Sequence, residues 1–102
     1  MVKVYFEQTG GVIGRTIDMT IDSDSIPSQE AKQLEDLIDD TDFFNLPTEL
    51  LPSGEEGAAD YFSYDITIEK QQLKHKVETT DISMPQSLKP LVRYLRAKVQ
   101  RK

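Results

Sequence analysis

The chain has 102 residues, a length that suits a single domain built around one hydrophobic core. Its net charge is −6. It has no cysteine and one histidine, so disulfides, thiolate zinc sites, a cysteine nucleophile and any site that needs two imidazoles are excluded. No apolar run approaches the length of about 18 residues that a membrane span needs. The N-terminal segment lacks the long apolar region of a signal peptide. We therefore expect a cytoplasmic protein with one domain over residues 1–102 that does not bind membranes.

The charges are distributed unevenly along the chain. Residues 1–60 hold 14 acids and 3 bases, whereas residues 61–102 hold 4 acids and 9 bases. The bases cluster near the C-terminus, where they also suit the carboxyl end of a helix dipole. The acidic total argues against a nucleic-acid binder, because phosphate contacts dominate such affinity. Only Tyr94 lies among these bases as an aromatic platform, so no nucleic-acid partner is predicted.

Four segments of alternating apolar and polar residues predict β-strands, at residues 2–8, 16–22, 62–69 and 73–79. The first two strands are joined by Gly10 and Gly11, a dipeptide that suits a tight hairpin because both residues accept positive φ. The last two strands are joined by a short turn.

Two amphipathic helices complete the pattern. The first is predicted from an N-cap at Ser28 to about Asp40, and the second from about Leu88 to Gln100. Residues 47–60 show no periodicity and predict a long loop. The element order predicts an α+β fold with two layers, ββαββα, in which two helices pack on one face of a four-stranded antiparallel sheet.

The sequence contains no convincing catalytic or metal-binding constellation. Asp22 and Asp24 have the spacing that opens an EF-hand, but the residues that follow do not fit that motif. The carboxylates near Asp40 are typical of a solvated helix end. His75 is in phase with apolar strand residues, which favours a half-buried sheet position over a catalytic base. We predict no enzyme activity, no cofactor and no metal site.

Three surfaces remain as candidates for protein binding. The first is the loop over residues 47–60, which carries Glu49, Leu50 and Leu51. The second is the glycine hairpin, formed by Gly10, Gly11 and Gly14. The third is the basic last helix. Structural alternatives stay open, because the leucines would also cover a sheet edge and the glycines would simply form a turn.

Several motifs occur together in a particular order. The glycine hairpin is followed by a double phenylalanine before x-Leu-Pro, and then by a strand that reads Asp-x-Phe-x-Tyr. The residues of the last two motifs are Phe43, Phe44, Leu46, Pro47, Asp60, Phe62 and Tyr64. In this combination nearly the whole chain resembles the emfourin family of small protein inhibitors of thermolysin-like zinc metallopeptidases. Ile13 departs from the family pattern, which has a small residue before the third glycine.

The resemblance implies a metallopeptidase inhibitor that blocks the active-site cleft with a loop. Thermolysin-like enzymes favour a bulky apolar residue just after the scissile bond, a pocket that Leu50 or Leu51 would fill. Glu49 would approach the zinc ion, which accepts carboxylate oxygen. The implied partner is a thermolysin-like metallopeptidase, and the expected oligomeric state is a monomer. The alternative is a non-enzymatic adaptor that binds a protein through its acidic or basic surface.

Overall fold

A computed structural model describes residues 2–10, 15–50 and 62–100. The strands of these residues are β1 (Val2–Gly10), β2 (Arg15–Asp22), β3 (Glu49–Leu50), β4 (Phe62–Lys70) and β5 (Leu73–Thr80). The α-helices of the same residues are α1 (Ser28–Thr41) and α2 (Lys89–Gln100). The fold is therefore α+β, as predicted.

The sheet differs in detail from the prediction of four antiparallel strands. In the described part of the chain it has five strands in the order β2-β1-β4-β5-β3, and β3 runs parallel to β5. Glu78 N–H extends this parallel pairing by donating to the carbonyl of Thr48 at 2.8 Å. The prediction was wrong here because two residues are too few to show a strand periodicity.

The core lies between one face of the sheet and the two helices. Alternate residues of the central strands point to this face, and both helices direct their apolar stripes against it. Its fully buried side chains include Val4, Phe6, Leu34, Ile38, Ile66, Ile68, Val77, Leu91 and Leu95. The other face of the sheet carries polar residues and no helix from the described residues covers it, as expected for an antiparallel arrangement.

Contacts at the C-terminal end of α1 accommodate the acidic residues that cluster there. Asp42 ends the helix in the left-handed conformation at φ 57°, a role that glycine, asparagine or aspartate takes most readily. Asn45 donates a side-chain hydrogen bond to Asp42 at 2.8 Å. Lys70 from β4 forms an ion pair with Asp39 at 3.1 Å, which offsets part of the unfavourable interaction with the helix dipole.

Both helix starts differ slightly from the prediction. Pro27, not Ser28, occupies the N-cap position of α1, and its carbonyl accepts from Ala31 N–H at 2.9 Å. A 3-10 turn over Gln86–Leu88 precedes α2, which begins at Lys89. Neither described helix is long and apolar enough to cross a membrane.

Candidate functional site

The strand register brings the described ends of two predicted binding segments, the glycine hairpin and the leucine segment, to the same end of the sheet. Gly10, the last residue of β1, lies opposite Arg15 and also opposite Phe62. On the far side of β4, Thr80 at the end of β5 lies opposite the neighbouring Ser63. β3 runs parallel to β5 and ends beside it. We call this end of the sheet the loop end, and it is defined by Gly10, Arg15, Leu50, Phe62 and Thr80.

The glycine hairpin begins at the loop end. Gly10 has a φ of 117°, a region that glycine enters without the steric penalty of a Cβ atom. Gly11, Ile13 and Gly14 lie outside the described residues. The structure therefore shows where the glycine hairpin leaves the sheet. Its first glycine, Gly10, is required by the positive φ at that position.

The segment with the predicted leucine anchors is partly a strand and not the exposed loop that we expected. Leu50 is half-buried and packs against the hydrophobic core. It therefore covers the edge of the sheet, which was the structural alternative to a binding role. Its carbonyl accepts a hydrogen bond from Ser83 Oγ. Glu49 is exposed on the open face. Leu51 and Asp60 lie outside the described residues.

A hydrogen-bonded turn after β5 supports the loop end. Asp81 accepts from the Tyr64 hydroxyl at 2.7 Å and from the Phe62 backbone N–H at 3.1 Å. Asp81 N–H in turn donates to the Phe62 carbonyl at 3.1 Å. Burial raises the pKa of the Tyr64 hydroxyl, and its hydrogen bond to the Asp81 carboxylate raises it further. These bonds fix the turn to the start of β4.

The same turn exposes an apolar side chain that the sequence reasoning missed. Thr80 Oγ1 accepts from the backbone N–H groups of Ile82 and Ser83, each at 3.2 Å. This arrangement leaves Ile82 49% exposed at the loop end. The available signal was an isoleucine within an otherwise polar turn, Thr-Thr-Asp-Ile-Ser.

The family-motif residues that the structure describes lie mainly in the core or pack against it. Phe43 is buried and contacts the His75 ring edge-on, with the two ring centroids 5.7 Å apart. His75 Nε2 lies 2.7 Å from the carbonyl oxygen of Leu46, a distance at which the protonated nitrogen donates to it. Phe44 packs beside Phe43, whereas Pro47 is exposed. His75 is therefore held in a half-buried sheet position, as its phase in the strand indicates.

The open face of the sheet carries a line of acidic residues that we call the acidic row. Each described strand contributes one member, and neighbouring members lie directly opposite each other in the register. In spatial order the acidic row comprises Asp18, Glu7, Asp65, Glu78 and Glu49. Like charges that face each other across strands destabilise a sheet. The acidic row therefore lowers the stability of the sheet, and stability alone does not account for its presence.

A second row on the same face shows the contrasting arrangement. Its charges alternate in sign, in the order Asp22, Lys3, Glu69 and Lys74. Lys74 and Glu69 form an ion pair at 3.5 Å. Within the acidic row, burial raises the pKa of Asp65 above its ordinary value and Glu78 adds to this effect, whereas Lys76 opposes it. Lys76 lies 3.5 Å from Glu78, so one cation offsets part of the repulsion.

The described residues include no group of three or more histidine and carboxylate side chains that could hold a metal ion. The EF-hand-like spacing has a structural explanation. The Asp22 carboxylate accepts from Asp24 N–H at 2.9 Å and caps a 3-10 turn.

Comparison with protein families agrees with the order of motifs along the chain. The emfourin profile matches residues 6–96, nearly the whole sequence. The chain belongs to the emfourin family. The role associated with this family is metallopeptidase inhibition and not catalysis. No curated protein and no solved structure matches the chain.

Proposed function

We propose that this emfourin-family protein inhibits a thermolysin-like zinc metallopeptidase by placing its loop end in the active-site cleft of the enzyme. The observation that carries the proposal is the strand register. It brings the start of the glycine hairpin, the end of β3 and the exposed Ile82 to one end of the sheet. In this proposal residues 1–102 act as one domain and as a monomer.

The proposal assigns different tasks to the residues of the predicted leucine segment. Leu50 packs against the core and anchors β3. Leu51 then enters the apolar pocket of the peptidase, and the exposed Glu49 directs its carboxylate towards the zinc ion. The hairpin with Gly10, Gly11 and Gly14 forms a second contact.

The hydrogen bonds of the turn after β5 support this role through preorganisation. Asp81 ties the turn to β4, and Ser83 ties it to β3. A binding surface that is ordered before association loses less conformational entropy when it binds. A rigid loop end therefore suits a protein inhibitor that must itself resist cleavage.

An inhibition assay tests the proposed function directly. The purified protein is preincubated with thermolysin, and cleavage of a short peptide substrate is followed at increasing inhibitor concentration. We expect stoichiometric inhibition that competes with substrate, with the protein recovered uncleaved. A folded protein that leaves thermolysin-like peptidases fully active at large excess would contradict the proposal.

Two leucine variants distinguish a side chain that contacts the peptidase from one that packs in the inhibitor itself. Leu51→Ala should weaken inhibition by more than about tenfold, which corresponds to about 1.4 kcal/mol of binding free energy. Leu50→Ala should lower the free energy of unfolding instead, because this side chain packs against the core. Unchanged inhibition by folded Leu51→Ala protein would remove Leu51 from the proposed contact.

The acidic row supports a second candidate function, an adaptor that binds a basic protein segment. Such binding should weaken steeply as salt rises from about 0.05 M to about 0.5 M, because exposed charges are screened. A labelled octalysine peptide is a suitable probe. Glu7→Gln with Asp65→Asn should reduce its affinity, whereas the control Asp36→Asn with Asp40→Asn, on α1, should not. Equal losses in both variants would contradict a specific role for the acidic row.

A further inference from the structure

A cavity beside the loop end has cationic and apolar walls. Its volume is about 420 Å³, and it lies between α2, Tyr64 of β4 and the segment after β5 that carries Asp81 and Met84. Lys89, Arg93 and Arg96 line it from one side of α2, at the spacing of successive helical turns. Met84 and Val92 supply apolar wall. We call this feature the basic cavity.

The cations of the basic cavity have no anionic partner among the described residues. The ion pairs among the described residues involve Lys70, Lys74, Lys76 and Lys98. None of them involves Lys89, Arg93 or Arg96. The acidic lining residue of the basic cavity is Asp81, and its two carboxylate oxygens already accept from Tyr64 and Phe62. The local charge is therefore positive although the whole chain is acidic.

Arg96 lies beside an aromatic ring at the wall of the basic cavity. Its guanidinium carbon lies 5.6 Å from the centroid of the Phe62 ring, a cation–π arrangement. The Nε atom of Arg96 is buried and has no hydrogen-bond partner among the residues that the structure describes. Arg96 itself is half-buried and lines the basic cavity, so the rest of its guanidinium group remains accessible to an external acceptor there.

We propose that the basic cavity binds an organic anion with a phosphate or carboxylate head and an apolar stem. The planar fork of arginine pairs with both head groups through two parallel hydrogen bonds. In this arrangement Arg93, Arg96 and Lys89 contact the head, and Met84 and Val92 contact the stem. This inference does not require the proposed peptidase contact, because the anion is held by residues of α2, although Asp81 both lines the basic cavity and supports the loop end.

Titrations of the ¹⁵N-labelled protein followed by NMR test this proposal. The probes are phenyl phosphate, phenylacetate and the uncharged benzyl alcohol. We expect saturable shifts of amides in residues 81–84 and 92–97 with an anionic probe, at a dissociation constant of about 1 mM or below. A response to phenyl phosphate alone identifies a phosphate monoester, whereas a response to phenylacetate identifies a carboxylate. No saturable shift with either anion, or equal shifts with benzyl alcohol, would overturn the proposal.

Charge-matched variants show whether the binding is local. Arg93→Gln with Arg96→Gln should weaken anion binding at least tenfold. The control Lys32→Gln with Lys74→Gln removes the same charge from exposed positions outside the basic cavity and should leave binding unchanged. Because Arg93 is exposed, Arg93→Gln alone should fold normally and still weaken binding severalfold. Equal losses in the control variant, or full binding by folded Arg93→Gln protein, would overturn the assignment.

Discussion

Gly10 illustrates, at the scale of a single residue, how backbone conformation restricts residue choice at the loop end. Its φ of 117° lies in a region where a Cβ atom clashes with the backbone. Gly10→Ala should therefore lower the free energy of unfolding by about 1–2 kcal/mol. Urea denaturation measures this change, with the exposed neighbour variant Thr9→Ala as the control. Equal stability of Gly10→Ala and the unmodified protein would contradict the conformational requirement.

The ionisation of Asp65 should make the free energy of unfolding depend on pH. Its pKa is raised in the folded protein by burial and then by Glu78, so the folded state binds a proton more tightly than the unfolded state. The free energy of unfolding should consequently increase as the pH falls through the folded pKa of Asp65. This gain is complete below the pKa of the unfolded chain, and it is lost as the pH rises again.

Asp65→Asn removes the ionised group that causes this dependence. The variant should be more stable than the unmodified protein at pH 7, by about 0.5 kcal/mol as judged from cross-strand charge pairs. Its stability should also change less with pH in the acidic range. Urea denaturation at pH 7 and at successively lower pH checks both effects. Asp36→Asn, which removes one exposed charge on α1, should show neither effect, and a matching response from it would contradict the explanation.

At the scale of elements, β3 depends on a small number of hydrogen bonds. Glu78 N–H donates to the Thr48 carbonyl, and Ser83 Oγ donates to the Leu50 carbonyl. Ser83→Ala should weaken the attachment of β3 and speed hydrogen exchange at the Glu78 amide by about fivefold to tenfold, which corresponds to roughly 1 kcal/mol. Exchange at Ile66 in the central strand should not change.

The exposed Ser63→Ala variant is the control for this exchange measurement. Native-state exchange read by NMR resolves the individual amides. Unchanged protection at Glu78 in the Ser83→Ala protein, or an equal loss in Ser63→Ala, would show that Ser83 does not hold β3.

The sequence predicted the long elements because their apolar residues repeat at a clear period. Leu34 and Ile38 mark the buried side of α1, and the alternation through Ile66 and Ile68 marks the buried face of β4. β3 was missed because two residues carry no period, and its parallel pairing with β5 depends on tertiary register. The same limitation applies to the site. Gly10 and Leu50 were selected in separate segments, and only the register shows that both lie at the same end of the sheet.

At the scale of the whole molecule, surface charge is segregated by the fold. The sequence showed an acidic first part and a basic last part, but the acidic row forms only when five strands align. The basic cavity likewise requires α2 to pack beside the turn that carries Asp81. Both features combine residues that are distant in the chain, which explains why neither could be read from spacing alone.

The loop end and the opposite end of the sheet each carry an exposed apolar residue, and this pairing gives a matched test. Ile82 is 49% exposed at the loop end, whereas Leu73 is 59% exposed beside Lys70 at the other end. Ile82→Asp and Leu73→Asp make the same chemical change at comparable exposure. They differ in which end of the molecule they alter.

Inhibition of thermolysin by these two variants shows whether the loop end enters the active-site cleft. With both proteins shown to be folded by circular dichroism, Ile82→Asp should weaken inhibition by more than about tenfold, because it places a charge in a desolvated contact. Leu73→Asp should inhibit as the unmodified protein does. Full inhibition by folded Ile82→Asp protein, or an equal loss in Leu73→Asp, would contradict the claim that the loop end enters the cleft.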